Sequence, residues 1–336
     1  MLTLLSEVPD ALLSAKTEEL ADLLPGPVLI HLPGRRIEPV FVSVLLHGNE
    51  DGGFYAIQSL LRDYRGRELP RALSLFIGNV TAARHGLRRL DGQPDYNRIW
   101  PGGEGGGTPE HAMLDHVVRD MEARRLFASV DLHNNTGVNP HYACVNRIDP
   151  DFLHLATLYS RTVVYFTRPL GVQSMAFASL CPAVTIECGQ PGEARGVDHA
   201  REFIEACLHL KNFPDHQVLS QDVDLFHSVA MVKVPESFSF SFKDDSADIC
   251  FVDDLDHLNF RELPKGTLLG RIRPGSGVHL EIWDETGKEV SASYCSIEAN
   301  EIRTTRPVMP AMFTLNERVI RQDCLGYFME RYPLPK

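Results

Sequence analysis

Four residues, His47-Gly48-Asn49-Glu50, offer the most chemistry per unit length. An imidazole and a carboxylate three residues apart, on a turn leading into a helix, are able to converge on one cation. Gly48 lets the backbone between them turn tightly. His-x-x-Glu is also a common spacing, and an inert surface turn would read the same. Asp131-Leu132-His133-Asn134-Asn135 places a second imidazole at the end of an apolar run. Thr185-Ile186-Glu187-Cys188-Gly189 follows another such run, Pro182 to Ile186, so Glu187 emerges from a buried segment. A carboxylate there is costly unless it is paired or functional. It is read either as half of a structural ion pair or as a general base beside a metal-activated water. Asp95-Tyr96-Asn97-Arg98, with Arg88 and Arg89 before it, offers guanidinium forks suited to a carboxylate. Solvated surface arginines would look alike.

The elements that must position these residues alternate. Pro39 to Leu46 reads as a buried strand, and Asp51 to Tyr64 as a helix with Phe54, Ile57, Leu60 and Leu61 on one face. Ala72 to Ile77 is a second strand. Thr108-Pro109-Glu110 supplies a capping hydroxyl and a first-turn proline for a helix through Met113, Val117 and Met121. Further strands are expected at 128–132, 141–145, 162–166 and 183–187, and a helix at 193–210. Such alternation predicts an α/β fold, a mostly parallel mixed sheet with helices on both faces. Ligand sites in these sheets lie outside the carboxyl ends of the strands. His47, Glu50 and His133 therefore fall on one edge, and two imidazoles with one carboxylate form a catalytic zinc set that leaves a position for water.

After Pro214 the helical period fades. Short alternating segments such as 231–242 and 279–290 take over, separated by turns at Pro274–Gly277 and Glu285–Gly287. The chain divides into a catalytic domain, 1–215, and a smaller β-rich domain, 216–336. Gly102–Gly107 before a helix lacks the Gly-Lys-Ser/Thr ending of a phosphate-binding loop and reads as a flexible loop.

Bulk properties narrow the function classes. The formal net charge of −12 argues against nucleic-acid binding, which needs a concentrated basic surface. No apolar run approaches the ~20 residues that cross a bilayer, and the first residues lack the basic stretch of a secretory signal. Seven scattered cysteines without a Cys-x-x-Cys pair fit reduced thiols in a cytoplasmic protein. Self-association is left open.

In their order along the chain, the motifs resemble the succinylglutamate desuccinylase/aspartoacylase family, a branch of the zinc carboxypeptidase-like superfamily. The resemblance rests on His47-Gly48-Asn49-Glu50, Gly78-Asn79, Gly86-x-Arg88, Asp95-x-Asn97-Arg98, Asp131-Leu132-His133 and Glu187-x-Gly189. It implies one zinc per chain held by His47, Glu50 and His133, with Glu187 activating the water. Asn97 and Arg98 would hold a substrate carboxylate and Arg88 would polarise the scissile carbonyl. Arg89 is the alternative match, because 89–94 is longer than the family spacing. The C-terminal domain would narrow the mouth of the site. The implied activity is hydrolysis of the amide bond of a small anionic N-acyl amino acid. The competing readings are a metallocarboxypeptidase acting on peptides and a zinc-binding regulatory protein without turnover.

Overall fold

In the computed structural model, residues 2–103 and 105–334 are described. The chain forms two compact units. One contains the residues up to Asn134 together with His141–Asp224; the other contains Asn135–Pro140 and the chain from Leu225.

The strands of the first unit are β1 (Thr3–Leu5), β2 (Val28–Leu32), β3 (Gly34–Val44), β4 (Leu69–Ile77), β5 (Ala128–His133), β6 (Tyr142–Val145), β7 (Thr162–Tyr165) and β8 (Ala183–Glu187). Their order in the sheet is β1-β2-β4-β3-β5-β8-β6-β7. The central strands β4, β3, β5 and β8 run parallel, whereas β2 is antiparallel to β4 and β6 antiparallel to β8. The fold is thus the expected α/β class with a mixed, mostly parallel sheet. The parallel strands are apolar without alternation because both faces are covered: Val40–Val44 and Ala128–His133 are buried throughout.

Helices cover the two faces. The helix Gly52–Asp63 buries Phe54, Ile57, Leu60 and Leu61 and lies so close to β5 that a Cβ on Gly53 would sit 2.6 Å from Leu132 Cβ. On the other face the short helix Gln173–Phe177 stacks Phe177 on Phe41 of β3, ring centroids 4.5 Å apart. The helix Pro109–Glu122 starts as expected, with Thr108 Oγ1 accepting from the His111 amide at 3.4 Å. Among the described residues no helix is long and apolar enough to cross a membrane.

Several elements were not anticipated. Strands β1 and β2 precede the expected first strand, and helices Pro150–Tyr159 and Gln173–Phe177 lie in stretches to which the sequence pattern assigns no element. Strand β3 begins at Gly34, ahead of the expected Pro39, and its register on β4 shifts between Arg36 and Val40. Pro39, which has no N–H to donate, falls in that irregularity. Gly103 is packed against the Arg98 carbonyl, where a Cβ would come within 2.6 Å of the oxygen. That part of the glycine-rich stretch is therefore a close backbone contact, where the sequence suggested a flexible loop.

The second unit contains the strand Asp224–Lys233 from Leu225 onward, with Glu281–Asp284, Met309–Ala311 and Gly326–Arg331, and a five-stranded sheet of Phe240–Ser241, Ile249–Phe251, Leu268–Ile272, Glu301–Thr304 and Cys295–Glu298. Its core includes Val232, Phe251, Leu269, Ile282, Phe313 and Phe328. The excursion 135–140 is stitched into this unit. The Thr136 and Thr314 hydroxyls meet at 2.8 Å, Asn139 Oδ1 accepts from the Met312 amide at 3.0 Å, and Asn259 donates to the Val138 carbonyl at 3.2 Å.

The turn after β3 tolerates no side chain at its second residue. A Cβ on Gly48 would lie 2.2 Å from the Ala83 amide nitrogen and 2.3 Å from the Ala82 carbonyl carbon, both backbone atoms. Gly48→Ala is expected to cost about 1–3 kcal/mol, the usual penalty of overpacking. Urea unfolding checks this: a lowered midpoint is expected, and an unchanged one would show that the turn relaxes.

Candidate metal centre and active site

Each candidate residue sits at the carboxyl edge of the central strands. His47 and Glu50 occupy the turn between β3 and the helix Gly52–Asp63, while His133 ends β5 and Glu187 ends β8. Strands β5 and β8 pair in parallel with His133 opposite Glu187. Alternation along β5 puts Ser129, Asp131 and His133 on one face and Leu132 on the other.

His47, Glu50 and His133 are buried, and each offers a ligand atom within 4.8 Å of the others. Nδ1 of His47 lies 2.8 Å from Glu50 Oε1, and Nδ1 of His133 lies 2.7 Å from Oε2. The far nitrogen of each ring is held by an aspartate: His47 Nε2 by Asp95 at 3.0 Å and His133 Nε2 by Asp131 at 2.7 Å. An aspartate behind a histidine fixes the tautomer and leaves Nδ1 as the coordinating atom, a common second layer of metal sites. The donor set and its burial fit a zinc ion, and these three residues would hold it.

Charge balance organises the rest. Asp131 is fully buried and also accepts from Ser43 Oγ at 2.6 Å, its register partner on β3. Arg88 donates through Nε and Nη2 to Asp95 Oδ2 at 3.1 and 2.9 Å, and its Nη1 lies 3.7 Å from Glu50. Burial alone would raise the Glu50 carboxyl, but His47 and His133 together hold it below its ordinary range. Asp95 is likewise opposed by burial, then carried well below the carboxylate range by Arg88 and His47. Burial disfavours the charged His133 ring, yet Asp131 and Glu50 raise its pKa well above the usual value. Glu187 differs: burial pushes its carboxyl up to about 7, with only partial opposition from His133.

The two candidate arginines have different surroundings. Arg88 is buried beside Glu50, and its carbonyl accepts from the Gly48 amide at 3.1 Å. Arg89 instead donates to the Gln93 carbonyl at 2.8 Å. Asn97 is buried, with Nδ2 3.2 Å from His133 Nε2 and Oδ1 accepting from the Gln173 amide at 3.0 Å. Arg98 donates to the Asn97 carbonyl at 2.7 Å and is close enough to lower the Asp95 pKa. Gly78-Asn79 has a structural part: Asn79 Oδ1 caps a helical turn by accepting from the Ala82 amide at 3.1 Å.

Sequence reasoning did not assign the supporting residues. Strand parity could have identified Asp131 as the partner of His133, two residues away on the same face. No local signal foretells Asp95 behind His47, Gln173 behind Asn97, or Tyr159, whose hydroxyl donates to the Glu187 carbonyl at 3.2 Å.

Sheet and site define an α/β protein with a candidate metal centre at the carboxyl edge of its parallel strands. Residues 37–210 match the model of the succinylglutamate desuccinylase/aspartoacylase catalytic domain, and the chain belongs to that family. No protein of curated function matches it significantly. Solved structures of the same fold include the succinylglutamate desuccinylase of Chromobacterium violaceum, 21% identical with TM-score 0.58, covering 90% of this chain and 87% of that one. A succinylglutamate desuccinylase/aspartoacylase from Rhodobacter sphaeroides is 17% identical with TM-score 0.58, covering 90% and 88%. Murine aminoacylase 3 is 13% identical with TM-score 0.56, covering 89% and 96%.

Asp131→Ala should weaken zinc binding about 10–100-fold, the usual cost of removing such a support. Asp131→Asn keeps an acceptor for His133 and should lose less. Competition with a chromogenic chelator measures both; parental affinity in the alanine variant would remove Asp131 from the metal site.

Proposed function

We propose that the chain is a zinc-dependent amidohydrolase that cleaves the amide bond of a small anionic N-acyl amino acid. The observation that carries this reading is the meeting of His47, Glu50 and His133 beside Glu187 at one sheet edge, in a member of this family. The family's name specifies removal of acyl groups from acyl amino acids, which supports the substrate class.

Zinc held by His47, Glu50 and His133 would acidify water and polarise a carbonyl. Glu187 takes the proton from the attacking water and returns it to the leaving amine. A carboxyl raised to about 7 by burial is matched to both tasks near neutral pH, although a bound cation would draw it down. Arg88, anchored by Asp95, places guanidinium charge where the carbonyl oxygen becomes anionic. Asn97 and Arg98 grip the substrate carboxylate. The same proposal assigns residues 216–336 to limiting substrate size, as the family resemblance implies.

The direct test is metal analysis followed by hydrolysis of N-succinyl and N-acetyl amino acids and of peptides. About one zinc per chain and turnover of acyl amino acids are expected; turnover of peptides alone would overturn the substrate class. Glu187→Gln should keep zinc and lose roughly 10²–10⁴-fold in kcat, the scale of general-base catalysis. Activity within a few-fold of the parent would assign the base elsewhere.

Arg98 reports on the carboxylate. Arg98→Ala should cost on the order of 1.5–3 kcal/mol, or about 10–150-fold in kcat/KM, on an acyl amino acid. Arg98→Lys should be impaired too, since an ammonium lacks the planar fork. Equal slowing of the substrate and its uncharged amide analogue would defeat the clamp.

A further inference from the structure

Asn134 follows His133 and is buried in the first unit, yet it has no part in the chemistry described so far. Its backbone amide donates to Glu50 Oε2 at 3.2 Å. Its side-chain Oδ1 accepts from the Gly52 amide at 2.9 Å, where the ligand turn enters its helix. Its Nδ2 donates to the Gly189 carbonyl at 3.1 Å, two residues beyond Glu187. One side chain thus joins the segment bearing Glu50 to the segment bearing Glu187.

The two partners fix the orientation of the amide, because one is a donor and the other an acceptor. Aspartate keeps the first bond but sets an oxygen against the Gly189 carbonyl. Serine has a single polar arm, and glutamine is a methylene longer. Space is equally restricted: a Cβ on Gly52 would meet Asn134 Oδ1 at 2.8 Å and Nδ2 at 2.9 Å. The Gly189 turn is itself confined, since a Cβ there would clash with Glu193 Oε2 and lie 2.7 Å from His141 Nε2. Tyr159 tethers the Glu187 carbonyl, so the base segment is held at both 187 and 189.

We propose that Asn134 is a positioning residue that keeps the Glu187 base in register with the metal-ligating Glu50. The inference rests on the proposed function and deepens it. Reacting groups tolerate little displacement, and a shift of about 1 Å can cost 10²-fold in rate.

The test is a double-mutant cycle with zinc content measured throughout. Asn134→Ala should bind about one zinc, keep KM within about threefold and lose roughly 10–100-fold in kcat. Asn134→Asp, nearly isosteric and the substitute if the alanine variant does not fold, should lose as much. In the Glu187→Gln background either change should lower kcat by less than about threefold, because residues acting as one unit are not additive. In the metal-free protein, hydrogen exchange at the Gly52 amide should quicken in Asn134→Ala and stay protected in Asn134→Asp. A full loss that persists in the Glu187→Gln background, or activity that falls only in step with zinc, overturns the positioning role. So does parental kcat in both variants, or unchanged Gly52 exchange in Asn134→Ala. Parental activity in Glu187→Gln alone would sink the base assignment and this inference with it.

Discussion

The Glu50 carboxylate, shared between the Nδ1 atoms of His47 and His133, sets the terms for everything around it. A buried anion must be matched, and each matching imidazole is braced by a further aspartate, the buried Asp131 and the partly buried Asp95. Those aspartates need partners in turn, which Ser43 and Arg88 provide. Deleting one member of such a cluster leaves a neighbour charged and dry, a far larger loss than the bond itself. Protons and cations compete for this arrangement. Asp131 and Glu50 raise the His133 pKa, and an imidazole must be deprotonated to ligate a cation, so a metal held here would bind in a pH-dependent way.

The sheet allows that network to exist. Its central strands end together, and their side chains alternate, so Asp131 and His133 rise from one face while Leu132 packs beneath a helix. Rigid strands hold the imidazole at 133 and the carboxylate at 187, and only the 47–50 turn depends on loop geometry. That turn is locked by the close approach of Gly48 to Ala83 and by its hydrogen bond to the Arg88 carbonyl.

Much of this was legible from residue types. The runs at 39–46, 128–132 and 183–187 announce buried strands, and the polar residues that end them stand out against apolar surroundings. The parallel core follows from the strand runs, and the candidate ligands and base stand at or just after strand ends, which is where the motifs drew attention to them. The flanking strands β1 and β2 were obscured, since short apolar runs near a chain end suit either strand or helix. The antiparallel β6 was no more readable, because strand direction depends on where the connection leads. Asp95 behind His47 and Gln173 behind Asn97 are contacts between segments 48 and 76 residues apart, which no local pattern encodes. The assignment of 135–140 to the second unit is of the same kind.

That excursion bears on how the molecule is made. Residues 135–140 leave the first unit directly after His133 and Asn134 and return at His141. Their partners are Asn259, Met312 and Thr314. On a ribosome these emerge long after the strand that carries His133, since the three contacts join residues 121, 173 and 178 positions apart. Residues 135–140 therefore wait for their hydrogen-bonding partners until residues 259–314 have been made. A nascent chain that has not yet reached residue 259 already contains every candidate ligand and the candidate base, yet lacks the contacts that anchor the segment following His133 and Asn134.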